Sequence, residues 1–190
     1  MPRNIAVLIG SLRKRSYCRM LAHALEPLAA DRLQLSIIEI GGLPLYNQDI
    51  EGDATPPTWT MFRNRIRQAE GVLFITPEFN RSVPAVLKNA VDVGSRPYGQ
   101  SVWDKKPAAI ITISPGAMGG FGANHHLRQS LVFLNMPTVQ QPEAYVGGAA
   151  ELFDEAGRLK REDTAQFLRG VLDEFAVWIE RHAPTTQASS

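Results

Sequence analysis

The chain has 190 residues, of which 44% are hydrophobic and 21% are charged, a balance typical of one soluble globular domain. Its formal net charge of +1 excludes a general electrostatic attraction to nucleic acid or to membrane surfaces, and no apolar run has membrane-spanning length. The single cysteine, Cys18, excludes an internal disulfide and is compatible with a reducing compartment, so we expect a cytoplasmic protein.

The distribution of apolar residues predicts strands and helices that alternate along the chain. Two of the connections are unusual, a long loop at 41–57 and a glycine-rich loop at 115–122. The helix after the long loop is expected to carry its three arginines on its polar side. The predicted strands are 5–9, 33–40, 71–76, 108–114 and 138–140. The predicted helices are 16–28, 59–69, 84–93, 124–134 and 161–181.

This alternation is typical of a parallel sheet with right-handed crossovers and helices on both faces. We therefore expect an α/β fold, a flavodoxin-like three-layer sandwich whose five-stranded parallel sheet has the order 2-1-3-4-5. Residues 1–182 are predicted to form a single domain, and 183–190 a disordered tail. In such a sheet, ligands bind beyond the carboxyl ends of the strands, where the loops after strands 1 and 3 meet.

The loop after the first strand is suited to an anion. Gly10 ends the strand and the next helix begins near Ser16, so free backbone N–H groups and the positive end of a helix dipole meet there. Ser11, Arg13 and Ser16 add donors that suit a terminal phosphate. The loop lacks both the glycines of a dinucleotide fingerprint and a Walker sequence. The alternative is that Ser16 only caps the helix and the cations at 13–15 are solvated.

The loop after the third strand, at 76–84, combines a rigid turn, an aromatic ring and several hydrogen-bond donors. Its backbone N–H groups and the Asn80 amide are suited to the edge of a flat heterocycle. The alternative is an ordinary helix entry in which Ser82 caps the helix and Phe79 fills the core.

Together, the two loops resemble those of the NAD(P)H-dependent FMN reductases of flavodoxin-like fold, a family that includes bacterial quinone and chromate reductases. The likeness continues through 87–90, 119–120, 126–129 and 142–143, so it covers most of the chain. The family's phosphate loop is matched by Gly10, Ser11, Leu12, Arg13 and Ser16. Its flavin-ring loop is matched by Pro77, Glu78, Asn80, Ser82 and Pro84.

The resemblance implies that the chain binds FMN through residues of three loops. The phosphate would lie on the first loop and the ring against the second, with the third loop on the far side of the ring. Because flavin carries out the redox chemistry itself, no catalytic side chain is required. The implied cofactor-binding residues are Ser11, Arg13, Ser16, Tyr17, Cys18, Pro77, Glu78, Phe79, Asn80, Ser114 and Gly116.

The resemblance also implies an activity, in which NADPH or NADH reduces bound FMN and the electrons pass to a small-molecule acceptor. Quinones, chromate, azo dyes and free flavin are the acceptors implied, and alternating use of one site implies ping-pong kinetics. Lys14 and Arg15 are interpreted as a solvated face, and attraction of NADPH or of an anionic acceptor is the alternative.

The chain departs from the family's pattern at four positions. Cys18 stands where the family has asparagine, and Phe79 stands where tyrosine is commoner. Gly122 and His125 replace an arginine and a tyrosine that join subunits in some members. Because the family's flavin site lies beside a subunit interface, the resemblance implies a homodimer, with a homotetramer as the alternative.

Two other functions stay open, a flavodoxin-like electron carrier and a non-enzymatic module that binds FMN or another anion. The near-neutral charge argues against the first, since flavodoxins are strongly acidic. A cysteine phosphatase is excluded because Ala24, not arginine, lies six positions after Cys18. His125 and His126 are adjacent and cannot share a helix face, so no metal site is predicted. Cys18 is interpreted as a small buried residue, and a redox-sensitive thiol is the alternative.

Overall fold

Strands and helices alternate through residues 1–29 and 31–183, the part of the chain that a computed structural model describes. Short 3₁₀ turns lie at Gln48–Ile50 and Ala149–Glu151. The strands are β1 (Arg3–Ile9), β2 (Leu33–Ile37), β3 (Gly71–Thr76), β4 (Ala108–Ile113) and β5 (Ala144–Val146). The α-helices are α1 (Tyr17–Ala29), α2 (Pro57–Gln68), α3 (Ala85–Gly94), α4 (Phe121–Phe133) and α5 (Glu162–His182).

The strands form one parallel sheet in the order β2-β1-β3-β4-β5. This order confirms the predicted flavodoxin-like arrangement. Ile9 pairs with Ile75, and Thr76 pairs with Thr112, so β1, β3 and β4 end side by side. The loops that follow these three strands therefore leave the sheet at neighbouring points.

Helices cover both faces of the sheet, which explains why its central strands are apolar throughout. Ile5, Val7 and Ile9 of β1 pack in one core layer with α1 and α5. Ala6 and Leu8, which alternate with them, pack in a second layer with α2, α3 and α4. These layers give the three-layer sandwich that the sequence predicts.

The fifth strand is not where the sequence predicts it. Thr138, in the segment predicted as a strand, forms only an isolated bridge with Ala108, whereas β5 pairs with β4 in register. Pro137 and Pro142 flank the predicted segment and cannot donate hydrogen bonds to a ladder, which limits its pairing. β5 has three residues, too few to show a periodic pattern.

Helix α2 differs from the prediction at Arg63, which is 4% exposed rather than solvated. The Arg63 guanidinium donates to both carboxylate oxygens of Glu51 at 2.8 and 3.0 Å, and its Nε donates to the Val93 carbonyl at 2.9 Å. Burial of this side chain requires such a partner, because an unpaired buried charge is costly. The ion pair attaches the long loop at 41–57 to α2 and α3.

Helix α4 begins at Phe121, three residues before its predicted start. Its N-cap residue, Gly120, has φ of 84°, a conformation that glycine adopts without strain. The glycines at 115–122 predict a loop, yet Gly122 is part of the first helical turn. The start of this helix could not be predicted because glycines in this segment indicate a loop.

Helix α5 ends the described chain, and the predicted tail at 183–190 lies, apart from Ala183, outside the described residues. The prediction for this tail stays a prediction. Within 1–29 and 31–183, none of the helices combines the length and the apolar character needed to cross a bilayer.

Candidate functional site

Three loops lie together at the carboxyl ends of the central strands, and we call the loops at 10–16, 77–82 and 114–120 the carboxyl edge. A Cβ atom on Gly10 would lie 2.2 Å from Thr76 Oγ1, so only glycine permits this approach. A Cβ atom on Gly120 would lie 2.9 Å from Thr112 Cβ. These close approaches bring the first loop beside the second, and the start of α4 against the end of β4.

The first loop leads into the N-terminus of α1, as the sequence predicts. Ser16 Oγ accepts the backbone N–H of Arg19 at 3.2 Å, so Ser16 caps the helix. Its hydroxyl hydrogen is still available for donation, although the residue is only 3% exposed. Ser11 is half-buried and Arg13 is exposed on the same loop. The capping role of Ser16 is therefore present and leaves room for a role in phosphate binding.

The cations of the first loop make it electropositive. Arg13, Lys14 and Arg15 are exposed, and among the described residues none of them is ion-paired to a carboxylate. The first turn of α1 has no acidic residue. Arg19 is held by Glu39 through two 2.8 Å hydrogen bonds, which keep the pKa of Glu39 below its usual value. The positive charge at 13–15 and the helix dipole both favour an anion at this loop.

Tyr17 and Cys18 lie in the first turn of α1, but their side chains belong to the core. Cys18 is 2% exposed within the layer between the sheet, α1 and α5, and the half-buried Tyr17 ring packs against that layer. Burial raises the pKa of the Cys18 thiol to about 12, which disfavours the thiolate. Toward a phosphate, Cys18 can offer only its backbone N–H group. The interpretation of Cys18 as a buried structural residue agrees with this geometry.

The loop after β3 folds into a two-residue turn. The backbone N–H groups of Phe79 and Ser82 each donate to the other residue's carbonyl, at 3.0 and 2.9 Å. Asn80 and Arg81, between them, have φ of 49° and 64°, which is typical of a type I′ turn. Phe79 is 63% exposed and the N-cap residue of α3 is Pro84. The alternative in which Phe79 fills the core and Ser82 caps the helix is therefore wrong.

Two side chains of this second loop contact α4. Glu78 Oε2 accepts the backbone N–H of Ala123 at 3.1 Å, and the Glu78 side chain is 15% exposed. Ser82 Oγ lies 2.9 Å from His126 Nδ1. The sequence does not predict either contact, because the partners are more than forty residues apart in the chain. Glu78 therefore offers a ligand its backbone, while its carboxylate is engaged within the protein.

The third loop, at 114–120, is the one that the resemblance places on the far side of the flavin ring. Its turn at 114–116 is accessible to solvent. Ser114 is half-buried, and its backbone is bonded to Val146 and Ala149. Its Oγ accepts the N–H of Gly116 at 3.2 Å. Gly116 is exposed, and a Cβ atom there would meet only Ser114 Oγ, at 3.6 Å. The turn is thus ordered, and its outer side is accessible to a planar group.

An aromatic cluster that the sequence analysis missed lies beside the start of α4. The Phe121 ring is 4.3 Å from the His125 ring and 5.4 Å from the Tyr145 ring, between centroids. The Tyr145 hydroxyl lies 3.2 Å from His125 Nε2. Burial and the interaction with Glu143 raise the pKa of Tyr145 to about 12, so its hydroxyl stays protonated at neutral pH. Tyr145 belongs to β5, whose location the sequence did not predict.

The carboxyl edge fits FMN by the chemistry of its donors. One loop concentrates cations, hydroxyl groups and helix N–H groups, which suit a phosphomonoester. The neighbouring loop exposes an aromatic ring and an amide, which suit a planar heterocycle. In the described part of the chain, no group of three or more His, Cys, Asp or Glu side chains is placed to hold a metal ion.

Comparisons with known proteins agree with this geometry. The sequence profile of a family described as NADPH-dependent FMN reductase matches residues 3–151, which contain the whole carboxyl edge. A quinone reductase from Pseudomonas putida is 60% identical over 177 residues, 93% of this chain and 95% of that protein. A 2-hydroxy-1,4-benzoquinone reductase from a Burkholderia species is 45% identical over 179 residues, 94% of this chain and 97% of that protein. The solved structure of FerB, a flavoenzyme NAD(P)H:(acceptor) oxidoreductase from Paracoccus denitrificans, gives a TM-score of 0.89 with 43% identity and covers 95% of this chain and 98% of FerB.

Proposed function

The chain belongs to the NADPH-dependent FMN reductase family, and from this premise we propose that it oxidises NADPH or NADH and reduces quinones through bound FMN. Membership makes the protein an oxidoreductase with FMN as its cofactor and a reduced nicotinamide nucleotide as its co-substrate. The names of two relatives, a quinone reductase and a 2-hydroxy-1,4-benzoquinone reductase, support a quinone as the acceptor.

The observation that carries the proposal is that an electropositive first loop and an exposed second loop leave the sheet side by side. The Gly10 N–H donates to the Ile75 carbonyl at 2.9 Å and Ile9 pairs with Ile75, so one ligand can have its phosphate at 10–16 and its ring at 77–82. Arg13, Ser11 and the N–H groups of α1 hold the phosphate in this account. Bound FMN supplies hydride acceptance and two-electron donation.

The other loops orient the flavin ring and leave space beside it. Backbone groups at 77–80 bind the edge of the ring, and the exposed Phe79 offers an apolar surface to a flat substrate. Gly116 is exposed on the third loop, and the space outside it can take nicotinamide and acceptor in turn. This alternation predicts ping-pong kinetics. The protein's contribution is to hold the reacting atoms about 3–3.5 Å apart, with no side chain required as an acid or a base.

A steady-state assay tests this function. We expect the full-length protein with FMN to oxidise NADPH in proportion to added benzoquinone, with parallel lines in double-reciprocal plots. Chromate, an azo dye and free flavin are the further acceptors we propose, and all four acceptors are assayed without oxygen, which would otherwise reoxidise the flavin. Protein that binds FMN, yet oxidises NADPH no faster with any acceptor than without one, would favour the electron carrier. Protein that binds no FMN would leave only the anion-binding module.

We also propose a homodimer, as the family's placement of its flavin site beside a subunit interface implies. Support comes from α4, on which Val132 and Phe133 are 74% and 87% exposed. A Cβ atom on Gly122 would lie 2.9 Å from Arg81 O, so the arginine that joins subunits in some relatives has no room here without movement of the second loop. The use of a reduced nicotinamide nucleotide supports a cytoplasmic location.

A further inference from the structure

We infer that Glu78 is a positioning residue, whose carboxylate clamps the flavin-ring loop onto the N-terminus of α4. This inference rests on the proposed function, because the loop at 77–82 is taken as the one that contacts the ring. The family resemblance implies that Glu78 binds the cofactor. Its side chain is only 15% exposed, however, and its Oε2 accepts a hydrogen bond from within the protein. Its effect on FMN is therefore exerted through the loop that it holds.

The first observation is that α4 lacks a cap of its own. Its N-cap residue is Gly120, which has no side chain to accept an N–H, and its first turn contains no acidic residue. Helix N-termini need acceptors for their free N–H groups and favour negative charge. The carboxylate of Glu78 supplies an acceptor and a negative charge, because its Oε2 accepts the Ala123 N–H at 3.1 Å. Glu78 lies 45 residues before Ala123 in the chain.

The second observation is that the helix is shaped to receive this loop. A Cβ atom on Gly122 would lie 2.9 Å from Glu78 Oε2 and equally close to the carbonyl oxygen of Arg81. The absence of a side chain at this position is therefore what allows the loop backbone to lie against the helix. The contact between Ser82 Oγ and His126 Nδ1, at 2.9 Å, fixes the far end of the same turn.

The third observation is that the turn itself is not supported by burial. Phe79, Asn80 and Arg81 are all exposed, and Asn80 and Arg81 have positive φ values that side-chain-bearing residues rarely adopt. A turn of this kind keeps one shape only where its ends are held. Phe79 and Ser82 close the turn, and the side chains of Glu78 and Ser82 hold it against α4. The clamp thus determines where the backbone N–H groups of Glu78 and Asn80 point, because Pro77 has no N–H and that of Phe79 is bonded to Ser82.

The test compares Glu78→Ala with Glu70→Ala, a matched control at the opposite end of the sheet. Glu78 accepts one backbone N–H and pairs with Arg81 at 3.6 Å; Glu70 likewise accepts one backbone N–H, that of Asn4 at 2.8 Å, and pairs with Arg3. We expect Glu78→Ala to raise the dissociation constant for FMN about ten-fold and to reduce the visible circular dichroism of FMN bound at saturation. Glu70→Ala should change neither quantity.

Two further variants separate positioning from a simple loss of charge. Glu78→Gln keeps an acceptor for the Ala123 N–H, so its FMN affinity should fall between those of the wild type and Glu78→Ala. Gly122→Ala keeps the Glu78 carboxylate but adds a methyl group that crowds it. This variant should therefore weaken FMN binding, as Glu78→Ala does. Amide hydrogen exchange in the full-length chain before FMN is added gives a readout independent of the cofactor. The Phe79 and Ser82 amides should exchange faster in both Glu78→Ala and Gly122→Ala.

The outcomes distinguish this inference from the function on which it rests. Wild-type protein that binds no FMN would overturn the proposed function and, with it, the positioning role. Wild-type protein that binds FMN, together with Glu78→Ala protein of unchanged affinity and unchanged amide exchange, would overturn the clamp alone. Equal loss of FMN affinity in Glu78→Ala and Glu70→Ala would show a general effect on stability, and this result would also overturn the clamp.

Discussion

Arg13 is the side chain on which we expect FMN affinity to depend most. It is exposed on the first loop, and a guanidinium forms strong, charge-assisted hydrogen bonds with phosphate. Removal of such a bond costs roughly 1.5–3 kcal/mol, so Arg13→Gln should weaken FMN binding about 10- to 100-fold. Fluorescence quenching on titration with FMN measures this. Lys14→Gln, a change in the neighbouring exposed cation, is the control and should have a smaller effect; equal effects would mean that only the general potential of the loop matters.

Cys18 is expected to be an unreactive thiol. Because burial raises its pKa to about 12, the thiolate is rare at pH 8 in the folded protein. Alkylation by iodoacetamide at pH 8 should therefore be on the order of 1,000-fold slower in the folded protein than in urea. The rate in the folded protein should rise with pH up to about pH 12, since the thiolate fraction increases in that direction. Rapid alkylation that FMN blocks would instead place the thiol in the phosphate site.

Helix α2 and the long loop before it depend on the buried ion pair between Arg63 and Glu51. Their side chains are 5% and 14% exposed, so removal of one partner leaves a charge with little access to water. Arg63→Ala should lower the free energy of unfolding by about 3 kcal/mol. Urea unfolding followed by circular dichroism measures the change. Arg67→Ala, which removes an exposed arginine from the same helix, should alter it by less than about 0.5 kcal/mol, and a similar loss in both variants would contradict a special role for the pair.

The elements that could be predicted are those whose signal is local. β3 was predicted to its exact ends because six consecutive buried residues require cover on both faces of a sheet. β5 and the start of α4 could not be predicted in this way. β5 is three residues long, and the first turn of α4 is completed by Glu78, a residue in another part of the chain. Arg63 has the sequence context of a solvated arginine, and only the tertiary position of Glu51 shows that it is buried.

The same distinction applies to the site. The prediction that Ser11, Arg13 and Ser16 lie beside the loop at 76–84 follows from strand order alone, because the order β2-β1-β3-β4-β5 makes β1 and β3 neighbours. The direction of individual side chains could not be derived from strand order. Cys18 follows Ser16 by two positions on a helix, and this rotation turns its thiol into the core.

For the whole molecule, the proposed dimer predicts a sedimentation mass of twice the 21.0 kDa of the chain. Phe133 is 87% exposed at the end of α4, and a charge placed in an apolar interface is strongly unfavourable. Phe133→Glu should therefore sediment as a monomer. Met61→Glu is the control, because Met61 is an apolar residue of α2 that is 64% exposed and should lie outside the interface. A monomeric wild type, or a Phe133→Glu protein that stays dimeric, would contradict this arrangement.

The central claim is that FMN bound at the carboxyl edge takes electrons from a nicotinamide nucleotide and gives them to an acceptor. An anaerobic absorbance titration of the FMN-loaded protein with NADPH tests it most directly. We predict that the yellow flavin bands disappear with one NADPH per bound FMN and return fully when benzoquinone is added. A bound flavin whose bands are unchanged by NADPH would contradict the reductase, and a protein that stays colourless after mixing with FMN and gel filtration would contradict the site itself.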